Sequence, residues 1–375
     1  MRNDKLWTLV IFAAVLLAVI AFNPFSGGQD HAPATGPASQ PASGDFLAGI
    51  SLQLHSGNDE HPFETYIDEI ADAGANTVCL VIAAYQENCA SSSLFVDARK
   101  TPSDRRLTQL IDHAHGRGLR VVLMPIVLLD NPLAGEWRGK IAPTSWDDWW
   151  EDYTGYLVHY ARLAEKADVD VLMIGSELLS TERFTDRWEK LIGTIRHDYH
   201  GLLSYSTNWD HYQVPKFWKH LDLIGMTTYY DLTGGKTPTL ERLLAAWEPI
   251  RRDIHAWQAK IGLPIMFTEV GWPNLTTCAQ YPWNYTLTDK GPDPAAQANC
   301  FEAFFRTWID DPIVAGIMVW EWRNYPDQPT GPTDTSYVPC GKPALDVISR
   351  YYRAAQLATT RPATQPAETA NAVSP

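Results

Sequence analysis

The sequence holds no Cys-x-x-Cys pair, no Gly-x-Gly-x-x-Gly turn and no repeat with a period of ~20–50 residues. The missing glycine turn removes the phosphate cradle of an open dinucleotide-binding sheet. The missing repeat removes a solenoid. His113 and His115 stand two apart on a helical stretch and so face different directions. With no paired thiols beside them a structural zinc site is not expected, nor is any other metal or cofactor. Positive charge is scarce as well. Thirty Lys and Arg against 44 Asp and Glu leave a net charge of −14. A surface so acidic repels phosphate backbones and acidic glycans, so nucleic acid is excluded as a partner.

Cysteine is sparse, with five residues and no dense framework. Cys79 lies in an apolar strand-like run and is expected as a buried free thiol. Cys89, Cys278, Cys300 and Cys340 fall in loops or near a helix start, and a bridge from Cys278 to Cys300 or Cys340 is expected. Aromatic rings are abundant instead: 15 Trp and 16 Tyr exceed what a core of this size needs. Flat rings stack on the C–H faces of sugars, although any single ring is more simply explained as core packing.

The first 22 residues point to a compartment. Arg2 and Lys5 flank a run over residues 6–22 that is apolar apart from Thr8. Its length is that of a secretory signal or an uncleaved membrane anchor, and no Cys follows to carry a lipid. Export is therefore expected, with the folded domain outside the cytoplasm. Residues 23–45 form a linker rich in Pro, Ala and Ser, and 357–375 a tail of similar bias, both expected as solvated tethers.

Between them, at 46–356, strand-like and helix-like runs alternate. Strands are expected at 46–53, 77–84, 120–128, 171–175, 202–207, 221–228, 264–268 and 315–320. Helices are expected at 63–73, 103–117, 146–166, 181–199, near 214–219, and at 239–260, 294–309 and 343–354. Several strands are continuously apolar, as when both faces are buried. Eight alternating pairs predict one (β/α)₈ barrel, an α/β fold, with an expected monomer. Trp146, Trp149 and Trp150 have helical spacing, so one or two of them are expected to pack on the barrel wall and none to meet substrate.

In such a barrel, chemistry gathers at the C-terminal ends of the strands. Two carboxylates stand there: Glu177, after the fourth strand in Ile-Gly-Ser-Glu-Leu, and Glu269, ending the seventh in Phe-Thr-Glu-Val-Gly-Trp. One Glu after a strand is as readily a helix cap. Glu269, set between apolar residues and a Gly-Trp turn, would cost several kcal/mol to bury without partners or a role. A pair facing each other across a barrel mouth suits glycoside cleavage, one protonating the leaving oxygen and one attacking the anomeric carbon. Asn208 and Trp209 follow the fifth strand, and His55 and Asn58 the first, as candidate sugar contacts. Trp283 and Tyr285 lie in a long loop, 272–294, of the kind that shapes a cleft.

These motifs resemble the retaining four-seven clan of glycosidases, and the wording around both glutamates is most similar to glycoside hydrolase family 113, with a further likeness to the barrel domain of gene-transfer particles. The resemblance implies a retaining endo-β-1,4-mannanase acting on a neutral β-linked polysaccharide, with Glu177 as acid/base and Glu269 as nucleophile, ~5–5.5 Å apart. It implies that Tyr229 or Tyr230 bonds the nucleophile and that Trp320 stacks under the sugar; Trp272, in the turn after the second motif, is a further candidate substrate contact. The clan usually has Asn before the acid/base; this chain has Ser176, whose shorter reach weakens contact to the sugar 2-hydroxyl. A tyrosine donating to Glu269 would keep it ionised, so the raised pKa is expected on Glu177. A β-glucanase, an exo-glycosidase and a carbohydrate-binding barrel without turnover are the alternatives.

Overall fold

The computed structural model describes residues 46–359. The expected signal or anchor, the linker and the tail beyond 359 lie outside the described residues. Eight parallel strands close into a barrel in sequence order: β1 (Leu47–Gln53), β2 (Thr77–Gln86), β3 (Arg120–Leu129), β4 (Val171–Ser176), β5 (Leu202–Thr207), β6 (Leu223–Thr227), β7 (Ile265–Val270) and β8 (Val314–Val319), the last pairing back to β1. The helices are α1 (Phe63–Asp72), α2 (Asp104–Gly116), α3 (Trp146–Lys166), α4 (Thr185–Asp198), α5 (Leu240–Ile261), α6 (Pro294–Trp308) and α7 (Pro343–Thr359).

Strand alternation divides the apolar residues into two layers. Cys79, Val81, Met124, Met173, Met266 and Met318 fill the barrel interior. Val78, Leu80, Ile82, Ile174 and Phe267 point outward into the layer beneath the helices. Trp149 and Trp150 belong to that outer layer, as their helical spacing predicts, and Trp149 Nε1 donates to Gln86 Oε1 at 2.9 Å.

Three expectations need correction. The helix near 214–219 is only a 3₁₀ turn at Trp218–His220. Pro215 interrupts the stretch, and buried Phe217 and Trp218 fill the space a helix would occupy, packing against Trp188 and Trp257. The barrel thus carries seven α-helices among the described residues. The helix expected from 181 starts at Thr185, after a separate 3₁₀ turn at Leu179–Thr181. Finally, all five cysteines are free thiols. Cys278 and Cys300 sit side by side and buried, while Cys340 lies apart beside Glu69 and Arg323. The expected bridge is not formed.

The residue before the end of β4 is a glycine for a steric reason. Gly175 has φ 156°, and a Cβ there would stand 2.8 Å from Tyr153 Oη and 3.0 Å from the Tyr205 ring. Gly155, inside α3, has no atom within 4 Å of such a Cβ. Gly175→Ala should therefore lose about 2–4 kcal/mol of stability in denaturant unfolding, while Gly155→Ala gains ~0.5–1 kcal/mol. Equal effects of the two substitutions would refute this account of the β4 terminus.

Candidate active site

Both glutamates reach the barrel mouth through breaks in regular strand geometry. In β7 the residues alternate inward and outward, so Phe267 faces the helices and Glu269 would follow it. A register shift after Phe267 turns Glu269 inward instead. β4 has its own shift between Met173 and Ser176, and Glu177 then takes a left-handed backbone conformation at φ 52°. That conformation costs a residue with a Cβ ~1–2 kcal/mol, and the surroundings hold it in place. Glu177 N donates to Ser206 O at 2.8 Å, and Leu178 N to Tyr205 Oη at 3.0 Å. Tyr205 Oη donates in turn to Glu182 Oε1 at 2.9 Å. Glu182 is fully buried and bound by Thr207 at 3.3 Å and His211 at 2.6 Å, tying the loops after β4 and β5 together.

The carboxylates of Glu177 and Glu269 meet one guanidinium. Arg138 Nη2 lies 2.7 Å from Glu177 Oε2 and 3.6 Å from Glu269 Oε1. Tyr229 Oη donates to Glu269 Oε2 at 2.8 Å, and Ser176 Oγ stands 3.4 Å from Oε1. Both glutamates are buried, Glu177 at 8% exposure and Glu269 at 3%.

Burial raises both carboxyls above their ordinary range. For Glu269 burial is the largest cause and the Glu177 charge the next; Arg138 and Tyr229 oppose them, and the group is pushed up to about 8. Glu177 is raised by burial, against the opposing pull of Arg138. Glu177 is raised as expected, but the expectation that a tyrosine keeps Glu269 ionised is not met, because burial and the Glu177 charge outweigh the Tyr229 hydrogen bond. In the substrate-free site the guanidinium stands closer to Glu177 than to Glu269, and the two carboxyls titrate as one pair. Nearby, burial pushes Glu321 up to about 7, with Gln53 donating to it. The arrangement presents two opposed carboxyls that share a proton and a counter-charge, which is the equipment of acid–base and nucleophilic chemistry at one carbon.

A family model, Glycoside Hydrolase Family 113, matches residues 58–342. The chain belongs to glycoside hydrolase family 113. It is a glycoside hydrolase. Among curated proteins no sequence matches it. A solved family 113 β-1,4-mannanase shares 27% identity at a TM-score of 0.75, covering 82% of this chain and 99% of its own. The family 113 β-mannanase AaManA from Alicyclobacillus acidocaldarius, solved in complex with ManMIm, shares 27% at 0.73, covering 84% and 100%. A β-glucuronidase from Faecalibacterium prausnitzii, at 13% identity and a TM-score of 0.54, shares the fold alone; it covers 82% of this chain, which spans 48% of it.

Within this family 113 barrel the other candidates separate. Of the two tyrosines, Tyr229 meets Glu269, whereas Tyr230 donates to Trp209 O at 3.0 Å and packs on Trp247. Trp320 is half-buried and lies over the interior cluster at the barrel mouth. Trp272 is not brought to the cleft: it is fully buried against Phe301 and Phe304 beneath α6. Asn208 donates to Asp210 Oδ1 at 2.5 Å, and Trp209 stacks parallel to Trp283 with centroids 6.3 Å apart. His55 is half-buried, its pKa lowered by burial, and its Nε2 has no partner. Asn58 is exposed and accepts from Glu60 N in a local turn. Sequence reasoning missed Arg138, which sits in the polar run Glu136-Trp137-Arg138-Gly139-Lys140 that reads as solvated loop. Its only signal is the length of the β3–α3 connection on the active face.

The raised Glu269 has a consequence for stability. The folded value near 8 exceeds the ordinary 4.5, so the native state keeps a proton that the unfolded chain releases. Stability contributed by that proton is present below about pH 4.5 and is lost as pH rises through about 8. Glu269→Gln should therefore melt above the wild type near pH 9, by on the order of a few kcal/mol, with the gap closing toward pH 5. A gap that widens at acid pH would contradict the assignment.

Proposed function

We propose that the protein is a retaining endo-β-1,4-mannanase, exported through its apolar N-terminal segment. The observation that carries the reading is the pair of carboxylates held by one guanidinium nitrogen. Contacts of 2.7 and 3.6 Å to one nitrogen keep the two carboxylates close together, which supports the ~5–5.5 Å arrangement of a retaining pair over the ~6.5–9.5 Å of an inverting one. The likeness to solved β-mannanases supports mannan as the polymer.

Glu269, ionised and oriented by Tyr229, attacks the anomeric carbon as the glycosidic C–O bond breaks, and Glu177 gives its proton to the leaving oxygen. Glu177, now a carboxylate, takes a proton from a water whose oxygen attacks the same carbon, and Glu269 is released. Configuration is retained because each step inverts once. Ser176 stands 3.4 Å from Glu269 and is aimed at the nucleophile, so the sugar 2-hydroxyl meets a short hydroxyl in place of an amide. Endo action requires sugar contacts beyond the cleavage point. The Trp209–Trp283 pair supplies a flat apolar surface next to Asp210, and Trp283 is 46% exposed.

Two experiments test this. Glu269→Ala should abolish mannan hydrolysis and regain turnover with azide, giving an α-glycosyl azide by NMR, whereas Glu177→Ala should keep activity on aryl β-mannosides whose leaving group needs no proton. Identical behaviour of the two variants would remove the role assignment. Trp283→Ala should lose about tenfold in kcat/KM on mannan, the loss of ~1–2 kcal/mol of stacking, and change little on a short aryl glycoside. An equal loss on both substrates would place Trp283 outside any distal subsite.

A further inference from the structure

The backbone beneath Arg138 is fixed. Asp130 N and Asn131 N donate to Gln86 O and Glu87 O, both at 2.8 Å, and Ala142 N and Thr144 N to Cys89 O and Ala90 O at 2.8 and 3.0 Å. Glu136 accepts from Leu133 N at 2.9 Å and Cys89 N at 3.3 Å. The Trp137 ring folds over the turn so closely that a Cβ on Gly139 would meet it at 2.4 Å. The end of the Arg138 side chain is less tied. Its Nε is buried without a partner, and Nη2 bonds Glu177 while facing Glu269 across 3.6 Å. A displacement of about 1 Å would make the second contact the hydrogen bond.

The proposed double displacement carries one negative charge through the site. Before attack the charge is on Glu269 and Glu177 holds the proton. After attack Glu269 is an ester, and the charge is on Glu177. Resting on that reading, we propose that Arg138 is a positioning residue that follows this charge, bonding Glu269 while it attacks and Glu177 while it acts as base. The structure displays the second of these arrangements. In each half-reaction the guanidinium leaves the carboxyl that must be neutral, so one cation serves both steps and the cleft keeps no uncompensated buried charge. The other groups facing the pair cannot substitute. Asp210 faces Glu177 and Glu321 faces Glu269, both as acids, while Tyr205, Tyr229 and Tyr337 contribute phenols.

The test is the pH profile of kcat and kcat/KM for Arg138→Gln and Arg138→Lys on an activated aryl β-mannoside, with folding checked by circular dichroism. Loss of the cation makes both carboxyls harder to ionise. In Arg138→Gln the acid limb, set by Glu269, and the alkaline limb, set by Glu177, should each move up by about one pH unit or more. kcat should fall about 100-fold or more with KM changed little. Arg138→Lys keeps the charge but is a single point without the planar fork, so its limbs should move less and its rate fall about tenfold. Should Arg138→Gln not fold, the lysine variant decides alone. Wild-type rates in Arg138→Lys, or a slow Arg138→Gln with unmoved limbs, would overturn the role. If azide fails to rescue Glu269→Ala, the double displacement itself falls; if azide rescues and the limbs stay, only the part given to Arg138 falls.

Discussion

Two carboxylates taken out of water side by side repel each other, and each also loses its hydration. In a protein interior that penalty amounts to several kcal/mol per ion unless opposite charge and hydrogen bonds answer it. At this barrel mouth the answer is Arg138. Its guanidinium touches Glu177 and faces Glu269, while Tyr229 takes the remaining side of Glu269. Even so, Glu269 stays raised to about 8, so the resting site shares a proton instead of holding two full charges. That incomplete compensation leaves one proton divided between two neighbouring carboxyls, so a small change at the site can move it from one to the other.

The rest of the architecture keeps those groups in register. A barrel strand left to its regular pleat would point Glu269 to the same side as Phe267, into the helix layer. The shift in β7 and the left-handed Glu177 after β4 redirect both carboxylates into the cleft. Neither is a free choice of the local chain. The Glu177 conformation persists because Ser206 and Tyr205 accept from consecutive amides, and Tyr205 is in turn fixed on the buried Glu182 with Thr207 and His211. Strain at Glu177 is thus balanced by a network one layer away, formed almost wholly by β5 and the loop after it.

The surface and the cleft carry different messages. An acidic exterior with net charge −14 discourages anionic polymers, while Trp209 stacks on the exposed Trp283 after β5 and Trp320 lies over the barrel interior. Most of the other tryptophans are core. Trp149, Trp188, Trp247, Trp272 and Trp308 are fully buried between strands and helices, so the high aromatic content is chiefly a packing solution for the outer layer.

By itself the sequence determined the alternation of strands and helices, hence the closed barrel, because continuous apolar runs separated by amphipathic ones leave few other ways to bury both faces. It also placed Glu177 and Glu269 at strand ends, since polar residues closing apolar runs stand out against them. Tertiary structure decided the rest. Period and composition could not tell Tyr229 from Tyr230, because adjacent residues at a strand end point oppositely and only the packed sheet says which one meets Glu269. Trp272 reads as a cleft residue from its neighbours in the chain, yet the turn after β7 drives it under α6. Pro215 and two buried rings replaced an expected helix with a turn. Arg138 left no mark in a polar loop, for its meaning lies in two carboxylates 39 and 131 positions away, brought to it only when the barrel closes.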